Sequence, residues 1–196
     1  MMAQYLVIDA STPLIQCGFS NLDGAPEGIL CACGDIIESL PRLVGDSMQG
    51  RTFQELEGII YCYGPGSTLG LRFCVTMINV WQKLCDKPLR LFRYSSLDMA
   101  ANITKFRFPI ATSIGSGGYL IRPVDGTEYI FAEQVPPNVL FLQTRRFGTS
   151  CSNEQIEYKI SGYSGHLSDI LEEIEQPELF CFKEKEFVKW DHQRHS

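Results

Sequence analysis

The residues best suited to chemistry occupy positions 64–68, Gly-Pro-Gly-Ser-Thr, between the apolar run 59–63 and a long apolar stretch that opens at Leu69. A strand that halts at glycines and resumes as a helix leaves unpaired N–H groups at the helix start, and such groups attract anions. Gly64 and Gly66 lack the Cβ that would restrict a sharp turn, and Ser67 or Thr68 can accept from the first free N–H groups as an N-cap. Gly64, Gly66 and Ser67 are therefore the ligand-binding candidates of this turn. A phosphate loop of the Walker type would add a Lys followed by Ser or Thr, but Gly70, Leu71 and Arg72 stand here instead. A close strand-to-helix crossing accounts for the glycines by itself, so the turn reads first as architecture. Ser67 also lacks the Gly-x-Ser-x-Gly spacing of a nucleophile elbow.

The other reactive side chains form no recognisable set. His166 stands alone among Ser and Gly, and His192 and His195 fall in a polar stretch that reads as a frayed end. Neither a zinc site nor a histidine-based triad is assembled from them. Eight cysteines (17, 31, 33, 62, 74, 85, 151 and 181) lie mostly inside apolar runs, where thiols behave as small buried hydrophobes. Cys31 and Cys33 make a Cys-x-Cys pair without a second pair at zinc spacing. Scattered thiols are the expectation, with no catalytic residue, no metal and no cofactor.

The elements that must carry the glycine turn follow from periodicity. Strands are expected at 5–9, 15–20 and 29–33, joined by turn residues into an antiparallel meander. A helix follows from Asp35, a good N-cap, to Met48, with Ile36, Ile37, Leu40, Leu43, Val44 and Met48 on one face. Pro41 lies inside it and should kink it or disturb the preceding turn. After the strand at 59–63 comes a helix over 68–84 that is apolar nearly all round. Leu69, Phe73, Met77, Val80 and Leu84 line one side, and Leu71, Cys74, Val75, Ile78 and Trp81 the other. One sheet covers only one of these sides, so the helix is either deeply internal or sandwiched between the sheet and a second protein. A strand at 89–93 and a helix at 95–103 close the first region, 1–103. In the second region, 104–196, strands are expected at 109–113, 119–124, 128–132, 139–143, 156–160 and 179–182, with a short helix at 167–174. This second region reads as a smaller α/β lobe.

Composition sets the outer limits. The 196 residues are 44% hydrophobic and 20% charged, as in an ordinary globular protein. The formal charge of −6 is shared evenly along the chain, so no basic stripe is available to grip nucleic acid directly. No apolar run reaches the length of a membrane helix, and the first one holds Asp9, unlike a signal peptide. A cytoplasmic protein is expected.

The stretch GPGSTLGLR at 64–72, with YLVIDAST at 5–12, resembles the TsaB (YeaZ) family, whose usual forms are GPGSFTGLR and a strand ending in IDTS or IDTA. The order of elements between the two motifs and the Leu40-Pro41 pair fit as well, and the resemblance covers roughly the first hundred residues. It departs at Cys33-Gly34-Asp35, where relatives carry a His-Ser pair, and at Thr68-Leu69, where they carry Phe-Thr. The resemblance implies an α/β fold of the actin-like, ribonuclease-H-like (ASKHA) kind, in which Asp9 ends the first strand where related ATPases hold a carboxylate near the nucleotide's magnesium. In TsaB-like chains that carboxylate is a relic, and capping of the next turn explains Asp9 equally well. The resemblance further implies a non-catalytic subunit of the machinery that makes threonylcarbamoyladenosine at position 37 of tRNA. There it supports a TsaD-like transferase beside a TsaE-like ATPase, touches tRNA only indirectly, and can form a homodimer. Such proteins pair through their first two helices, which places Ile36, Leu40, Leu43, Val44, Leu69, Phe73, Met77 and Val80 at the interface. Two other readings stay open: a small actin-like ATPase or kinase using Asp9 and the glycine turn, and an M22-type peptidase, for which no His-x-x-x-His motif is present.

Overall fold

The computed structural model describes residues 4–105, 107–114, 118–125, 128–144 and 154–180. In β1 (Tyr5–Asp9) every residue is buried, with Leu6 and Ile8 directed to one side and Tyr5, Val7 and Asp9 to the other. A strand covered on both faces belongs in the middle of a sheet. Accordingly β2 (Leu14–Ser20) pairs antiparallel with β1, and β3 (Glu27–Cys33) lies outside β2. On the other side β4 (Gly58–Gly64) runs parallel to β1, and β5 (Arg90–Ser95) runs parallel to β4. The expected meander and the helix-strand alternation thus build one sheet.

Two helices cover the face that carries Leu6 and Ile8. The first is α1 (Ile36–Met48), opened by the Asp35 carboxylate accepting from the Ile37 N–H at 2.8 Å. It runs from Ile36 to Met48 with Pro41 inside it. Pro41 and Ile37 both face solvent, where water can take the Ile37 carbonyl left unpaired by the proline. The second, α2 (Thr68–Leu84), begins at Ser67, whose hydroxyl accepts from the Gly70 N–H at 3.3 Å.

The opposite face packs against α3 (Ser96–Ile103) and a second sheet. That sheet contains β6 (Ile110–Ile114), β7 (Gly118–Arg122), β8 (Ile130–Ala132), β9 (Leu140–Leu142) and β10 (Gln155–Ile156) in the spatial order β10-β9-β6-β7-β8. One core joins the two layers: Tyr5, Val7, Ile60 and Tyr94 of the first sheet meet Ile110, Leu120 and Leu142 of the second, with Tyr158 and Leu167 between them. Residues from both sides of position 103 therefore contribute to it. Asp98 of α3 fastens the second sheet by accepting from Arg122 Nε and from the Tyr129 hydroxyl, both at 2.7 Å.

The late chain departs from the sequence expectations. The strand expected at 156–160 ends at Ile156 and is followed by a 3-10 turn at Ile160–Gly162. Residues 167–174 are not a helix but a 3-10 turn, Leu167–Asp169, and then β11 (Glu172–Ile174), which joins the first sheet antiparallel to β5. Eight residues are too few for a helix to stand without tertiary support, and the free edge of β5 offers ladder hydrogen bonds in its place. Leu179 and Phe180 are irregular, and the rest of the strand expected at 179–182 lies outside the described residues.

Candidate functional site

Three features singled out in the sequence come together around the end of β1. Period-two alternation turns the Asp9 side chain into the core between the sheets, where it is fully buried. Four donors converge on its carboxylate. Oδ1 accepts from the Ser11 N–H at 2.8 Å and the Ser11 hydroxyl at 2.6 Å, and Oδ2 accepts from the Tyr94 hydroxyl at 2.8 Å and the Tyr158 hydroxyl at 2.5 Å. Burial raises the Asp9 pKa above its ordinary value, and the hydrogen bonds from Ser11, Tyr158 and Tyr94 work against that rise. Cys62 lies in the same environment, and burial first, then the Asp9 charge, pushes its thiol pKa well up. A carboxylate whose two oxygens are already saturated by internal donors is a junction that holds elements together. In this conformation it offers no free lone pair toward solvent.

The glycine turn is pressed onto the same place. Gly64 has φ +120°, a value that favours glycine, and the Gly64–Pro65 peptide is cis. At Gly66 an added Cβ would lie 2.5 Å from the Ser11 carbonyl oxygen, so only glycine fits under that backbone. The Ser67 N–H donates to the Ser11 carbonyl at 2.8 Å, and the Ser96 hydroxyl donates to the Pro65 carbonyl at 2.5 Å. The start of α2 is thereby docked on the turn after β1, with Ser67 as its cap.

The eight residues expected at an interface divide by helix. On α1, Ile36, Leu40, Leu43 and Val44 are buried in the chain's own core beside Ile8, Cys17 and Ile59, which corrects the expectation that they face a partner. The first sheet covers the apolar stripe of α1 except Ile37, which was expected on the same face but is 55% accessible, and the helix turns Glu38, Arg42 and Asp46 outward. On α2, Leu71, Cys74, Ile78 and Trp81 face inward, leaving Leu69 62% exposed, Val80 44% and Leu84 71%, with Phe73 and Met77 half-buried between them. These five fall at offsets of 0, 4, 8, 11 and 15 along the helix, one continuous outer stripe.

The fold so built has solved counterparts. No family model matches the sequence, and no curated relative does. Among solved structures, YeaZ from Pseudomonas aeruginosa superposes with a TM-score of 0.53 at 14% identity, over 72% of this chain and 76% of that one. A crystal structure described as an uncharacterized protein with similarity to peptidase YEAZ from Pseudomonas aeruginosa matches at 0.52, also at 14% identity and with the same coverage. The chain has the YeaZ fold. The two sheets and three α-helices of the described residues make a mixed α/β architecture, the class expected from the sequence.

Set within the YeaZ fold, the remaining reactive groups are dispersed. No group of three or more His, Cys, Asp or Glu among the described residues could hold a metal ion. His166 meets the Asp23 carbonyl through Nδ1, and His192 and His195 lie outside the described residues. Cys17 is buried and its pKa is pushed up to about 11, whereas Cys31 and Cys33 are exposed on β3. Cys151 and Cys181 are outside the described residues. No helix among the described residues is long and apolar enough to cross a membrane.

Sequence reasoning missed the partners of Asp9. Tyr94 lies one residue past the strand expected at 89–93 and is a buried residue of β5. Tyr158 lies inside the strand expected at 156–160, but a strand reading does not say which buried group its hydroxyl meets. Its segment is fixed by Gln16, whose side-chain amide donates to the Tyr158 carbonyl at 3.1 Å and accepts from the Ile160 N–H at 2.8 Å. A fully buried glutamine at the centre of β2 was the one available signal, since a buried amide requires partners.

Proposed function

We propose that this chain is a TsaB-like, non-catalytic subunit that docks on a TsaD-like transferase and supports the formation of threonylcarbamoyladenosine at position 37 of tRNA. The observation that carries the reading is the outer side of α2, where Leu69, Val80 and Leu84 are exposed and Phe73 and Met77 are half-buried, while the opposite side of the same helix is buried on the sheet. An apolar stripe of this length on a charged surface fits a protein interface. It lies in the helix that follows GPGSTLGLR, the motif of the sequence resemblance, and in a YeaZ-type fold. The internal saturation of Asp9 supports a structural role for the position that related ATPases use for magnesium.

In this reading the partner's transferase carries out the chemistry, a TsaE-like ATPase supplies the hydrolysis step, and tRNA is held by the partner. The chain works in the cytoplasm. Without the transferase, a second copy covers the stripe and gives a homodimer. The test is co-expression of the tagged chain with the TsaD-like subunit of the same host. Co-purification in a fixed ratio, with loss of the tRNA modification in a deletion strain, is expected. Failure to co-purify, together with normal modification in the deletion strain, would overturn it. Micromolar binding of Mg-ATP to the isolated chain would revive the ATPase reading, and stoichiometric zinc or iron would revive the peptidase.

A further inference from the structure

β11 is an unusual closing strand because nothing in it is buried. Opposite it, Leu91 and Phe92 of β5 are core residues, whereas Glu172 and Glu173 are exposed and Ile174 is half-buried. Attachment rests on the backbone ladder, on charge, and on Ile174, which packs against the edge of the core. Arg90 and Arg93 sit on opposite faces of β5, since Arg90 shares the face of Phe92 and Tyr94 while Arg93 shares that of Leu91. Arg90 donates through Nε and an NH2 nitrogen to the two carboxylate oxygens of Glu173, both at 2.8 Å, and lies over the Phe92 ring. Arg93 donates to Glu172 at 2.9 Å and to Glu178 at 2.6 Å, with its guanidinium over the Tyr63 ring. The two arginines therefore hold the incoming strand from above and below the sheet.

Recognition continues past the strand. The Tyr61 hydroxyl donates to the Glu178 carbonyl at 2.9 Å and accepts from the Glu178 N–H at 2.7 Å. The Phe180 N–H donates to the Tyr63 carbonyl at 2.9 Å, and its ring lies 5.5 Å from that of Tyr63 and 6.0 Å from that of Tyr129. Together these groups read a peptide's main chain, its acidic side chains at three places, and one aromatic anchor. We infer that the edge of β5 is a strand-addition site for acidic extended peptides, filled in this chain by its own residues 172–180. A partner protein's acidic strand, bearing glutamates or aspartates ahead of an aromatic residue, exchanges with this strap. Main-chain pairing supplies affinity in such additions and the side chains supply selectivity. The strap's glutamates are more than half exposed, so its ion pairs are open to screening by salt, which weakens its hold on the edge of β5.

The test uses the full chain carrying Glu172→Lys, Glu173→Lys and Glu178→Lys, which sets its own strap against Arg90 and Arg93. The probe is a fluorescein-labelled peptide of residues 171–180. The variant is expected to bind the probe at least about tenfold more tightly than the unaltered chain at low salt, to lose it at high salt, and to lose it on addition of Arg93→Glu. A variant that melts cooperatively and does not bind, or whose binding survives Arg93→Glu, overturns the inference. Amide hydrogen exchange on the unaltered chain gives a second readout. The β11 amides should exchange at least about a hundredfold faster than those of β1 and β4, and faster still in high salt. Protection of β11 equal to that of β1 and β4 would also overturn it.

Discussion

Asp9 is held in the core by the Tyr94 and Tyr158 hydroxyls that enclose it. Tyr158→Phe removes a donor from the buried carboxylate and should cost about 1–3 kcal/mol, read from urea unfolding. A cost near zero would show that the Tyr158 hydroxyl does not hold Asp9. The pH dependence has a definite sign. Because burial raises the folded pKa of Asp9 above 3.8, its stabilising contribution is full below that value and is lost as pH rises through the raised one. Asp9→Asn has no such slope, so the difference in melting temperature between the two proteins should move in favour of the Asn variant from about pH 4 to about pH 7. A difference that does not change with pH would contradict this assignment. Asp9 was visible in the sequence as a strand-end carboxylate. What surrounds it was not, because Tyr158 lies 149 residues away along the chain and no local pattern names so distant a partner.

At the scale of elements, the helices and the glycine turn carry most of what the sequence made legible. The meander, α1, α2 and α3 follow from alternation and from capping residues Asp35, Ser67 and Ser95, which the structure uses as N-caps. The two-sided apolar pattern of α2 also translates directly, one side inward and one outward. What periodicity could not give was which helix would retain the larger uncovered apolar surface, since the sheet takes all of the α1 stripe but Ile37. Leu40→Ala should therefore cost about 2–5 kcal/mol, and Leu69→Ser should change stability by no more than about 0.5 kcal/mol, both measured by denaturant unfolding. Comparable losses would mean that the two helices are not covered as described. In the turn, Gly66→Ala forces a Cβ against the Ser11 carbonyl and should destabilise by about 2 kcal/mol or more. A neutral outcome would show that the turn can move away from β1.

At the scale of the whole molecule, the two sheets share one core, and the late chain returns to the first sheet through β11. Periodicity failed there because the pairing is made across long sequence separations: β11 meets β5 through an antiparallel ladder and surface charge, neither of which leaves a local pattern. The fold leaves the outer stripe of α2 available for another polypeptide, and the central claim is that a TsaD-like subunit takes it. The direct measurement is calorimetric titration of the purified transferase subunit with this chain and with its Leu69→Asp and Val80→Asp variants, each confirmed to melt like the parent. The parent should bind with a dissociation constant of about a micromolar or tighter, and each aspartate should weaken it by about tenfold or more. No heat of binding from the parent, or equal binding by the variants, would contradict the account.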